Sequence, residues 1–125
     1  NFGDHIRDFT YVDDIVQPII RLLKKPPIKI NKKLKKNDPS ESIAPFKIYN
    51  IGNNDPKKLR EFVKAIENKV GKKAKINLKP LQKGDVYETY ADTNKIFKLT
   101  GYKSKTDIDT GISKFVNWFR DYYKC

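Results

Sequence analysis

Residues 5–16 read "HIRDFTYVDDIV" and place Arg7 in a chain whose other basic residues are nearly all lysine, 23 of 27. A guanidinium is planar and permanently charged, and its fork of N–H donors matches a phosphate better than an ammonium does. Arg7 stands just before an apolar run that reads as a helix. In α/β folds that place is often the exposed end of a sheet, where ligands bind. The same spacing also fits an ion pair with Asp8, Asp13 or Asp14. A second candidate is "LQKGDV", where Gln82 and Asp85 flank Gly84. An amide and a carboxylate on a glycine loop can hold sugar or ribose hydroxyls, or they can simply close a turn. Asn53 and Asn54, after "FKIYNIG", offer hydrogen-bonding groups but equally suit a turn and helix cap.

Several chemistries are missing. A phosphate-cradling loop needs closely spaced glycines, and the nearest two of the six, Gly101 and Gly111, are ten residues apart. None of the seven tyrosines has a lysine four residues on, so no tyrosine base is paired with lysine across one helical turn. His5 is the only histidine, which leaves no Ser/His/Asp set and no metal site. Cys125 is the only cysteine, which excludes an internal disulfide and suits a reducing, cytoplasmic compartment.

The elements that must position these residues follow from periodicity. Residues 13–25 predict a helix with Ile15, Val16, Ile19, Ile20, Leu22 and Leu23 as its stripe, Asp13 or Asp14 as cap, and Pro18 at or just beyond the first turn. Residues 26–45 predict a basic, proline-rich surface loop. "FKIYNIG" (46–52) predicts a strand buried on both faces, and "AKINLKPL" (74–81) a half-exposed strand. Between them lies a helix with Asp55 as N-cap, Pro56 at the first position and Gly71 as C-cap. Asp92 or Thr93 caps a short helix ending at Gly101. The last helix starts from a capping box of Thr106 and Asp109 and carries Ile112, Phe115, Val116, Phe119 and Tyr122 in one stripe, with Trp118 and Tyr123 beside it. The order is α/β, and it fits part of a doubly wound protein better than a complete one.

The size of 125 residues suits one domain, and no apolar run is long enough for a transmembrane helix. There is no methionine, and "NFGDHIRD" reads as the middle of a longer sequence. The formal charge of +12 favours anionic partners. The lysines are spread out, apart from "LLKKPPIKINKKLKK" (22–36), so a small basic module binding nucleic acid through residues 24–36 remains the alternative function class.

"RDFTYVDDIV", then "YNIGN" before a capped helix, then "LQKGDVYETYADTNKIFKLTGY" and "GISKFVNWFRDYY", together resemble the C-terminal part of an extended short-chain dehydrogenase/reductase. The resemblance is to nucleotide-sugar epimerases, most of all the UDP-glucuronate 4-epimerase group, and covers nearly all of the chain. It implies a Rossmann-type fold whose C-terminal, substrate-binding part has mixed short strands and about four helices. Residues 1–125 would form the nucleotide-sugar-binding portion, and an N-terminal portion outside this chain would bind NAD. By similarity, Arg7 contacts the diphosphate, Phe9 lines the nucleotide site, Asp85 lies near the ribose and diphosphate, and Gln82 stands where glucose-type epimerases tend to have a second arginine. The implied reaction is oxidation at sugar C4, turnover of the 4-keto sugar and hydride return; dehydration or decarboxylation of a nucleotide sugar are neighbouring chemistries. The partner is a UDP-sugar, with no metal and no membrane, and the whole enzyme would be a homodimer. This chain alone would have no turnover.

Overall fold

The computed structural model describes residues 2–29 and 38–125. The basic cluster from residue 30 to 36, with most of the nucleic-acid alternative, lies outside the described residues. The elements in chain order are β1 (Ile6–Arg7), α1 (Val12–Leu23), β2 (Lys57–Lys58), α2 (Leu59–Val70), α3 (Asn94–Thr100) and α4 (Ile108–Tyr123). The four helices expected from periodicity are all present. β1 pairs antiparallel with β2, Ile6 opposite Lys58 and Arg7 opposite Lys57. On its other side β1 forms a parallel bridge to Glu88. The Arg7 segment thus sits between two chain segments far from it in sequence.

The helices pack in two pairs. Ala65 of α2 and Ile112 and Val116 of α4 form a small buried cluster, with Phe62, Ile66, Val70 and Ile108 packed against it. Beside it, Ile96 of α3 is buried, and so are Pro18 and Asp14 of α1. Arg21 of α1 and Lys25 just beyond it finish α3: Arg21 donates to the Thr100 carbonyl at 3.0 Å and Lys25 to the Leu99 carbonyl at 2.6 Å. These are carbonyls that a helix C-terminus leaves without intrahelical partners. Gly71 and Gly101 end α2 and α3 in the left-handed conformation, with φ of 78° and 67°, as the sequence leads one to expect.

Several expectations are corrected. "FKIYNIG" is not a strand: it carries only a single bridge, Glu41 with Lys47, and Phe46 and Ile48 are exposed. "AKINLKPL" is not a strand either, although Phe2 N donates to the Lys79 carbonyl at 2.8 Å. A strand needs a continuous neighbour, and among the described residues each segment has only isolated backbone contacts, Ile48 N with the Ser40 carbonyl and Lys79 with Phe2. α2 starts at Leu59 rather than at Pro56, because Lys57 and Lys58 are drawn into pairing with β1 and the cap moves to Lys58. Asp55 instead pairs with Lys57 Nζ at 2.9 Å. α1 is capped by Tyr11, not by Asp13 or Asp14, and Pro18 lies inside it. α4 is capped by Asp107, whose side chain accepts from Thr110 N and Oγ1 at 2.8 and 2.9 Å, so Thr106 and Asp109 do not form the capping box.

Candidate functional site

Arg7 and Asp85 are 78 residues apart and meet directly: Arg7 Nη2 donates to Asp85 Oδ1 at 2.8 Å. The same guanidinium donates to the carbonyls of Ile6 (2.9 Å), Tyr87 (3.0 Å) and Val86 (2.7 Å). Four of its five N–H donors are therefore engaged, and Nε–H is the one left. β1 explains the meeting. Ile6 N donates to the Tyr87 carbonyl and Thr89 N to the Ile6 carbonyl, both at 3.1 Å, which lays the 85–89 segment along the strand. Side chains two residues apart share a strand face, so His5 joins Arg7 there. His5 Nε2 is 3.0 Å from Asp85 Oδ2. That nitrogen is buried, and the Asp85 carboxylate is the group that faces it.

Partial loss of water raises Asp85, but the Val86 N–H, the Arg7 charge and His5 outweigh it and hold the carboxyl below its ordinary value. Val86 N donates to Asp85 Oδ1 at 2.9 Å, and Asp85 N to the Gln82 carbonyl at 3.1 Å. "LQKGDV" is thus a turn, with Gly84 left-handed at φ 88°, and the turn carries the candidate groups. Gln82, Asp85 and His5 open on one groove of about 570 Å³, walled on its far side by α2 residues that include Arg60 and Lys64. The structure brings Arg7, Gln82 and Asp85 together. Phe9 stands apart: it stacks on Phe62 at 4.1 Å and 11° and lines a second, apolar groove of about 490 Å³ with Ile66 and Phe115. His5 was missed by sequence reasoning, although its alternation with Arg7 was the available signal.

Two other aspartates of the opening motif, Asp8 and Asp14, do structural work. Asp8 accepts from Asn54 N and Asp55 N at 3.1 and 3.3 Å, and from Ala91 N at 3.3 Å. This pins the asparagine turn, in which Asn54 is left-handed at φ 59°. Gly52 is obligatory beside it, since a Cβ would lie 2.5 Å from Ala91 Cβ and 2.6 Å from Asp8 Oδ2. Asp14 is 2% exposed and accepts from the Tyr102 hydroxyl, Thr106 N (3.0 Å) and Lys105 N (3.3 Å). Arg7 thus pairs with Asp85 and with none of Asp8, Asp13 and Asp14.

The profile of the family described as GDP-mannose 4,6-dehydratase matches residues 2–115. The chain belongs to this family. Protein CapI of Staphylococcus aureus is 53% identical over 99% of this chain and 37% of its own length. A probable UDP-glucuronate 4-epimerase of Rhizobium meliloti is 38% identical over 98% of the chain and 36% of its own length. The chain thus spans about a third of the length of the curated relatives it matches. Among solved structures, the UDP-glucose 4-epimerase of Bifidobacterium longum, in complex with NAD⁺ and UDP, superposes with a TM-score of 0.72 at 25% identity, over 96% of this chain and 34% of that one. The expected fold class, a C-terminal part of the Rossmann-type reductase/epimerase fold with short strands and four helices, is that of this family member. Among the described residues no helix is long and apolar enough to cross a membrane, and no group of three or more His, Cys, Asp or Glu is placed to hold a metal.

Proposed function

We propose that this family member is the nucleotide-sugar-binding portion of a UDP-sugar epimerase of the UDP-glucuronate 4-epimerase type. The observation that carries the reading is the junction of Arg7 with the turn bearing Gln82 and Asp85. An amide and a carboxylate line one groove, and the Arg7 guanidinium is bonded to that carboxylate, a grouping that suits a diphosphate joined to a ribose. The Rhizobium meliloti relative favours glucuronate as the sugar. Dehydration of a nucleotide sugar is a second reading, favoured by the description of the family itself.

The residues present do not fit NAD. Among the described residues, neither α1 nor α2 opens from a glycine loop: their N-caps are Tyr11 and Lys58. Leu59 N is already bonded to the His5 carbonyl at 2.9 Å. We therefore assign this chain the grip on the nucleotide, which holds the substrate while bonds change elsewhere, and no proton or hydride transfer. Residues 1–125 act in this reading as one unit beside a separate NAD-binding portion.

Titration of the protein with UDP, followed by calorimetry and amide NMR, tests this. Binding should shift signals around Arg7 and Asp85, and Arg7→Ala should weaken it about tenfold or more, as loss of a charge-assisted phosphate contact does. Wild-type affinity in Arg7→Ala would sink the assignment.

A further inference from the structure

We propose that Arg60, helped by Lys64 one turn further along α2, is the second cationic hold on the ligand's diphosphate. The inference rests on the nucleotide-binding reading above and extends it to residues outside the opening motif.

A diphosphate presents two anionic groups and asks for several N–H donors. Arg7 cannot meet that demand alone. Four of its N–H donors are spent within the protein, and Asp85 offsets its charge at 2.8 Å. Gln82 is neutral. Across the groove, Arg60 and Lys64 are four residues apart and so share one face of α2, and both line the cavity with Gln82 and Asp85. Among the described residues neither has a hydrogen bond or ion pair. Lys73, in the same wall, is different: Glu67 already holds it at 3.0 Å.

The position of Arg60 adds a second argument. It is the second residue of α2, and a cation near a helix N-terminus is opposed by the helix dipole. No described residue offsets this with an acidic partner for Arg60. An incoming phosphate would do so by pairing with the guanidinium. The groove also supplies an apolar wall from Val63, Ile76 and Leu78, suited to the less polar part of a nucleotide.

The test compares UDP with uridine, which lacks the phosphates, by calorimetry on the wild-type protein and on Arg60→Gln, Lys64→Gln and Lys69→Gln. Lys69 is on the same helix but does not line the groove, so its variant controls for the loss of one positive charge. Arg60→Gln should weaken UDP about tenfold and leave uridine within about twofold, with Lys64→Gln a smaller loss in the same sense and Lys69→Gln near wild type. Arg60 is exposed and glutamine is a good helix former, and an unchanged amide spectrum away from α2 verifies folding. Wild-type UDP affinity in Arg60→Gln overturns the proposal and leaves the nucleotide reading standing. So does an equal loss for UDP and uridine, or a loss no larger than that of Lys69→Gln. Failure of the wild-type protein to bind UDP overturns both.

Discussion

Replacing Asp14 by asparagine should cost about 1–3 kcal/mol, the usual penalty for disturbing a buried, multiply bonded acceptor. Burial by itself would raise this carboxyl, but the hydrogen bonds from Tyr102, Thr106 and Lys105 more than reverse that and hold it below 3.8. Burial and the Asp14 carboxylate in turn push the Tyr102 hydroxyl up to about 12. A depressed carboxyl contributes stability above its unfolded value and loses it as pH falls through its folded one. Urea midpoints should therefore fall more steeply below about pH 4 in the wild type than in Asp14→Asn. Parallel curves would mean that the carboxylate charge is not what Thr106 and Lys105 bind. At this scale the sequence was partly legible. The chemistry of Arg7, Gln82 and Asp85 was visible as types, because a rare arginine and a glycine-flanked amide and acid stand out. Their junction was not, because nothing local in "HIRD" announces a partner 78 residues away. The burial of Asp14 was hidden for the same reason: its donors lie beyond Gly101, and an aspartate at a helix start ordinarily suggests a cap.

For the elements, helices and strands differed in how far the sequence revealed them. The four helices declare themselves by their own apolar spacing, and α2 and α3 also by their closing glycines, all within one segment. A strand is completed only by a neighbour, so the apolar run "FKIYNIG" and the alternation in "AKINLKPL" named a tendency and not a pairing. The same nonlocal pairing displaced the start of α2. Asp55 and Pro56 carry every local sign of a helix start, yet Lys57 and Lys58 lie along β1. For α4 the two candidate caps can be separated. Asp107→Ala should destabilise by about 1 kcal/mol, the usual loss for a side-chain cap. Asp109→Ala should cost less than half of that, since its carboxylate contributes only through the dipole at the first turn. Urea unfolding of the two variants decides. A larger loss for Asp109→Ala would restore the Thr106–Asp109 box.

The whole chain exposes 9949 Å², whereas a folded monomer of 14.6 kDa is expected to expose about 6,900 Å². The excess is about 3,000 Å², and many described apolar side chains are exposed. α1 leaves Val16, Ile19, Ile20 and Leu23 exposed, and Phe46 and Ile48 are uncovered as well. α4 carries a run of touching rings from Phe115 through Trp118 and Phe119 to Tyr122 and Tyr123, all exposed. Apolar faces of this extent are far above what a monomer in water normally shows. The wholly buried apolar side chains, by contrast, are few and small in the α2–α4 cluster. The relatives give the same picture from outside, since each is nearly three times as long as the part matched here. The 125-residue chain should therefore bind the dye ANS strongly and unfold in urea with a low midpoint. It should also elute from a sizing column with concentration-dependent volume. Trp118 supplies a direct probe: as the only tryptophan, half exposed at 53%, it should fluoresce red-shifted and be quenched readily by iodide or acrylamide. A blue-shifted, protected Trp118 in a dilute monomer with no ANS binding would mean that the aromatic row of α4 folds back on this chain, and that the exposed faces are not built for covering by anything else.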